Sequence, residues 1–247
     1  MKHTYKNLYV ILMTVFIGIM LNGCVSIQLQ QKPPKSAKIA VVSFMENEAN
    51  VFNRGTMASS TGKIKLAPFP FDAKLTRRIS DTLKSRGYTN ISIVKAPRNN
   101  PITQATPWAQ AISFTQVLYK TSYVKNIIRS GKYDMIIVVM PAVNHDVGIS
   151  PLVFRYGVFI DKGFGTPEVY FFAGYRVQIL NGNDYRQLAQ KVGQSSKDVT
   201  NLNWSKQINF CGEINTIPQP NIKKLKNWLM TKVISDINAT TVNVLNI

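Results

Sequence analysis

The side chains best suited to chemistry are few and scattered. The chain holds two cysteines, Cys24 and Cys211, and a histidine beside a carboxylate, His145-Asp146. His145 with Asp146 has the composition of a base and its orienter. Neighbours on a strand point to opposite faces, however, and a triad needs spatial adjacency. Cys211 with His145 has the composition of a thiol nucleophile pair. Nothing beside Cys211 favours a thiolate, since Phe210 and Gly212 flank it. No GxSxG elbow, phosphate-binding loop or metal-ligand spacing occurs. Gly163-Phe164-Gly165 reads as a hairpin loop rather than a nucleotide site. These residues argue against an enzyme, and no cofactor is expected.

Cys24 has a different setting. A basic start, Lys2 and Lys6, precedes an apolar run from Leu8 to Leu21, and Gly23 ends it. Charged start, apolar middle and small residue are the parts of a secretory signal peptide. A membrane-spanning helix needs about 20 apolar residues, more than this run supplies. Leu21-Asn22-Gly23-Cys24 resembles the lipobox of bacterial lipoproteins, with Asn22 where a small residue is usual. The resemblance implies cleavage before Cys24, acylation of its thiol and new amino terminus, and a covalent lipid as membrane anchor. Val25 stands where an Asp would imply retention in the inner membrane. The resemblance therefore implies a lipid-anchored protein of the outer membrane, on its periplasmic face. Residues 1–23 are then signal peptide, 24–37 lipidated Cys and linker, and 38–247 a single domain.

With Cys24 acylated, Cys211 has no intrachain partner and is expected to be buried. The chain carries 30 basic and 12 acidic residues. Taking Lys2 and Lys6 from the 30 leaves 28, a charge of about +16, which calls for an anionic partner. Export points away from nucleic acid and towards lipid headgroups, glycolipid or acidic faces of envelope proteins. From Thr82 to Tyr133 the charged residues are all basic: Lys84, Arg86, Lys95, Arg98, Lys120, Lys125, Arg129 and Lys132. Two helices on one sheet face would merge these into an anionic-contact patch.

The elements that must position these groups follow from hydrophobic period. Val25 to Ser36 is polar, contains Pro33-Pro34, and reads as a free linker that lets the domain stand clear of the lipid. Lys38–Phe44 is a buried strand. Val51–Asn53 and Lys63–Leu66 pair as a hairpin inside a long loop suited to contacts. Asp72 caps an amphipathic helix to Arg86, carrying Leu75, Ile79 and Leu83 inward, and Gly87 ends it. Asn90–Val94 is a strand. A helix starts at Thr106-Pro107 and runs towards Ser130. Tyr133–Met140 is a second buried strand. Leu152–Ile160 and Glu168–Leu180 follow as aromatic-rich strands, then Asn181-Gly182 as a turn and Tyr185–Val192 as a third antiparallel strand. In the second, Val169, Phe171, Ala173, Tyr175, Val177 and Ile179 share one face. Ser195–Pro220 is irregular. Asn221–Asn238 is a helix with Ile222, Leu225, Leu229, Val233 and Ile237 inward and Lys223, Lys224, Lys226 and Lys232 outward.

The fold class is α/β: a mixed sheet with flanking helices, βαβαβ followed by an antiparallel meander and a C-terminal helix. The order KIAVVSF, helix ending RGY, NISIV, YDMIIVVM and meander resembles periplasmic α/β lipoproteins around the curli secretion lipoprotein CsgG and the amino-terminal domain of TolB. That resemblance implies work in envelope assemblies rather than catalysis. The function expected first is a structural or accessory subunit of a cell-envelope assembly such as a secretion apparatus, with other envelope proteins as partners. A basic module binding glycolipid or polymer is the alternative, and a pore subunit using strands 152–180 is another. Arg155 and Arg176 within those strands favour a core sheet over a membrane hairpin.

Overall fold

The computed structural model describes residues 26–54, 59–65, 69–96, 124, 128–129, 132–142, 155–162, 166–202, 204 and 217–247. Eight strands form one sheet: β1 (Ile39–Ser43), β2 (Glu48–Arg54), β3 (Ser59–Lys65), β4 (Ile91–Val94), β5 (Met135–Pro141), β6 (Tyr156–Asp161), β7 (Glu168–Asn181) and β8 (Gln187–Asp198). The helices whose full extent lies among the described residues are α1 (Phe71–Ser85), α2 (Gln219–Trp228) and α3 (Ile234–Val244), the last two joined through a π-helical turn, Leu229–Val233. This is the expected mixed α/β class. Cys24, Cys211, His145, Asp146, Arg98, Lys120, Lys125, the 163–165 loop and nearly all of the 106–130 helix lie outside the described residues.

The sheet runs β3-β2-β6-β7-β5-β1-β4, with β8 also on β7. β1 is parallel to both β4 and β5, as a strand–helix–strand order requires. β7 is the spine. Its residues 175–181 pair with β5, and its residues 168–173 with β6, so those two strands follow one another along one edge. β8 lines the other edge over almost the full length. At the handover, Gly174 N–H donates to the Arg155 carbonyl, and the Gly174 carbonyl accepts from Ala142 N–H. β2 then joins β6 in parallel, carrying the β2–β3 hairpin with it.

Gly157 makes that last junction possible. Its φ is +158°, and a Cβ there would lie 1.8 Å from the Asn50 carbonyl oxygen. Gly193 on β8 likewise gives up its side-chain space to the Tyr175 ring, 2.4 Å from where a Cβ would stand.

Both sheet faces are covered. The larger core holds Ile39 and Val41 of β1, Leu75, Ile79 and Leu83 of α1, the odd-numbered face of β7, and Leu225, Leu229, Val233 and Ile237. The smaller core holds Ala40, Val42, Ile136, Val138, Phe159, Phe172 and Leu180, with Ile128, Tyr133 and Tyr185 over them. All six residues of β6 are buried. The β6–β7 hairpin is thus core sheet.

Several boundaries differ from the sequence reading. α1 starts at Phe71, and Asp72 caps nothing. β8 runs on through Ser195 to Asp198, where irregular chain was expected. Alternation there is hidden because Lys191, Gly193 and Ser195 replace apolar residues on the helix side, and Ser195 instead donates to Asp236 of α3 at 2.6 Å. The C-terminal helix reaches Val244 rather than Asn238, and Thr240, Thr241 and Val244 are buried. The π turn inserts an extra residue, so that Trp228, Leu229, Val233 and Ile234 all face inward.

Candidate functional site

The clearest functional geometry begins at Ser26. The segment expected as a free linker is instead bound along the domain. Ile27 exchanges both backbone hydrogen bonds with Gln190 of β8, at 2.9 and 2.8 Å, as an antiparallel bridge. Leu29 N–H donates to the Val244 carbonyl at 3.0 Å, and the Leu29 side chain is buried. Further on, Tyr88 Oη donates to the Pro33 carbonyl and Asn90 Nδ2 to the Ser36 carbonyl. The Lys35 ammonium lies 4.1 Å above the Tyr88 ring. Polar composition concealed this, because the segment binds through its backbone and through one apolar residue in two. The segment is thus fixed to the domain from Ile27 onwards. Cys24 lies three residues upstream, a reach of about 10 Å fully extended.

The described basic residues of the 82–133 stretch do not share one face. Lys84, Arg86, Lys95, Arg129 and Lys132 are all exposed. α1 covers the larger core, whereas Val124 and Ile128 belong to the smaller core on the opposite face. The described parts of the 82–133 stretch therefore lie on both faces of the sheet. What unites Lys84, Arg86, Arg129 and Lys132 is one end. Lys38, Asn90 and Asp134 mark the amino ends of the three parallel strands, joined by Ile39 N–H to the Asn90 carbonyl and Lys38 N–H to Asp134. The close of α1, the 128–134 segment and the Asn181–Arg186 turn gather there, the last through Tyr185 Oη donating to the Ile128 carbonyl at 2.6 Å. Exposed Lys35, Lys38 and Arg186 add to this end, against Asp134 and Asp184. Lys95 follows β4 and stands at the opposite end. Periodicity could not reveal this grouping, since an end is set by topology and not by a helix face.

The carboxyl end of β1 carries a polar cluster that the sequence reading missed. Asp72 accepts from Ser43 Oγ, from Met45 N–H at 3.0 Å and from Glu46 N–H at 2.9 Å. Burial pushes its carboxyl from 3.8 up to about 6, against the pull of those three donors and with the Glu46 charge adding to the rise. Glu46 forms an ion pair with Arg155, whose side chain is 2% exposed. Both residues hold left-handed backbone, at φ 62° and 75°. Tyr156 Oη donates to the Glu46 carbonyl at 2.6 Å, and burial holds its phenol well above its usual range. Crevices at the carboxyl ends of parallel strands commonly bind ligands. Here the carboxylate oxygens are taken by the chain's own donors. The cluster ties the β1–β2 turn to α1 and β6, and its chemistry is structural.

At the other end of β8, a groove of about 470 Å³ lies between residues 197–202 and the helix from Lys224 to Thr231. Lys197, Lys224, Asn201, Asn227 and Trp228 line it. The outward placement of Lys224 was legible from helical period; its meeting with Lys197 was not. Among the described residues there is no group of three or more His, Cys, Asp or Glu side chains able to hold a metal, and no helix long and apolar enough to cross a membrane.

Fold and site together define a mixed α/β domain with a curled sheet and its amino-terminal segment bound to β8. No family model matches the chain, and no curated protein matches it. Among solved structures it is similar to protein XCC0632 from Xanthomonas campestris, described by the family-model DUF330. That pair is 8% identical over 90% of this chain and 93% of that one, at a TM-score of 0.41. It is also similar to the PelC dodecamer from Paraburkholderia phytofirmans, 11% identical over 89% and 96%, at 0.31. Lipoprotein GNA1162 from Neisseria meningitidis is 9% identical over 81% and 99%, at 0.30. At such scores the functional argument rests on the chain's own geometry.

Proposed function

We propose that this chain is a non-enzymatic lipoprotein of the outer membrane, acting as a structural or accessory subunit of a cell-envelope assembly. The observation that carries the proposal is the bound segment 26–37. A chain acylated at Cys24 and fixed at Ile27 holds its domain within about 10 Å of the lipid surface. A domain that only needed tethering would leave those residues free. The anchor end then faces the membrane. The basic amino ends of the parallel strands face the periplasm, where an acidic partner protein can meet them. A second reading, an envelope binding module for glycolipid or polymer, draws on the same basic end. The buried β6–β7 hairpin gives no support to a pore subunit.

The test expresses the full chain and its Cys24→Ala variant in a Gram-negative host. The expected result is an amino-terminal peptide beginning at acylated Cys24, absent from the variant, and a multi-component particle after extraction in mild detergent. An unmodified Cys24 in the membrane fraction, or a lone protomer in every detergent, would refute the proposal.

A further inference from the structure

The groove at the far end of β8 has the chemistry of a headgroup site. Lys197 comes from the strand and Lys224 from α2, so two elements each contribute a lysine to the lining of one groove. Neither lysine has an ion-pair partner among the described residues. Asn201, Asn227 and Thr231 add amide and hydroxyl groups around it. Trp228 packs on Phe171 at 5.9 Å between centroids and gives the groove an aromatic wall. Lysines bind phosphate as mobile point charges, while tryptophan favours surfaces with one apolar and one wet side. Asp198 also lines the groove, but its carboxylate is turned back onto Thr200 N–H at 2.9 Å. That bond holds the carboxyl below its usual range, so it stays an acceptor for a hydroxyl beside the phosphate.

Chain direction selects the source of the phosphate. Ile27 pairs antiparallel to β8 at Gln190. Ser26 therefore lies on the side of the later residues of β8, the end that Lys197 occupies. On the anchored reading, this favours a membrane on the groove's side of the domain over the side of Arg86 and Lys132.

We propose that this groove binds the phosphate-bearing headgroup of an anionic membrane lipid. The choice of lipid over free phosphate rests on the anchored reading given above; the groove's affinity for phosphate does not. Binding would hold the domain in one orientation on the bilayer, which a single flexible anchor cannot do.

The test uses the full chain in non-ionic detergent, with acylation of Cys24 read by mass spectrometry on the same preparation. Dihexanoyl-phosphatidylglycerol is titrated below its micelle concentration, with dihexanoyl-phosphatidylcholine and glycerol phosphate as comparisons. Saturable binding of the phosphatidylglycerol is expected. Lys197→Gln or Lys224→Gln should weaken it about fivefold each, and the double variant about 30-fold. Arg86→Gln with Lys132→Gln at the opposite end should leave it unchanged. Equal binding by the groove double variant, or equal loss in the opposite-end variant, overturns the proposal. Glycerol phosphate binding as tightly as the lipid overturns the lipid assignment. Groove binding by a chain unacylated at Cys24 refutes the anchor alone, and an acylated chain with no groove binding refutes the groove alone.

Discussion

Replacing Asp72 by Asn should abolish a specific part of the protein's pH dependence. The carboxyl rises from 3.8 in an open chain to about 6 in the fold, chiefly through burial. At ~1.36 kcal/mol for each tenfold change in proton affinity, that is about 3 kcal/mol. The folded state binds the proton more tightly, so this group's contribution is full below pH ~4 and disappears as pH rises through ~6. Stability of the native sequence, relative to the variant, should therefore rise by about 2.4 kcal/mol on going from pH 7 to pH 4. The comparison is essential. It removes whatever pH dependence the two proteins share. Asn also sets an amide N–H₂ against one of the donors from Met45 and Glu46, at a pH-independent cost of about 1–3 kcal/mol. Urea unfolding at pH 4, 5, 6 and 7 measures the difference. Curves for the two proteins that stay parallel across this range would refute the account of Asp72 as a carboxyl held up by burial.

Other consequences are simpler. Gly157→Ala places a methyl 1.8 Å from the Asn50 carbonyl on a strained φ, and should cost about 3 kcal/mol or more, with amide exchange protection lost in β2 first. Unchanged protection at Val51–Asn53 would contradict the β2–β6 pairing. Leu29→Ala removes the buried side chain of the bound segment, at about 2 kcal/mol. Its effect should be local release, seen as faster tryptic cutting at Lys35 while the rest of the domain stays resistant; cutting at the native rate would show that Leu29 does not fasten the segment.

The elements legible in the sequence are those whose hydrophobic pattern is set by their own burial. β1 and β5 are buried on both faces and read as continuous apolar runs. β7 alternates, and its Val169-to-Ile179 face lies in the larger core as read. Elements positioned by partners distant in sequence were not legible. β8 carries Lys191, Gly193 and Ser195 where period alone would place apolar side chains, because Gly193 yields to Tyr175 and Ser195 bonds to Asp236. Asp72 looks like a cap, yet its carboxylate serves the chain after β1. The amino-terminal segment looks like linker because backbone pairing leaves no mark on composition. The basic residues were readable as a surplus but not as a place, since α1 lies on one face and Val124 and Ile128 on the other.

The bond from Leu29 to Val244 also orders events in time. A chain threaded through a membrane amino end first delivers residues 26–37 early and α3 last. β7 must also emerge before β5, β6 and β8 have a common neighbour, and β2 must wait for β6. The segment next to the anchor cannot take its place until the final helix has arrived. On the proposed lipoprotein reading, that interval is when enzymes that cut and acylate at Cys24 have access to the neighbouring chain. On the same reading, docking of the segment closes the window, and completion of the fold marks the end of processing.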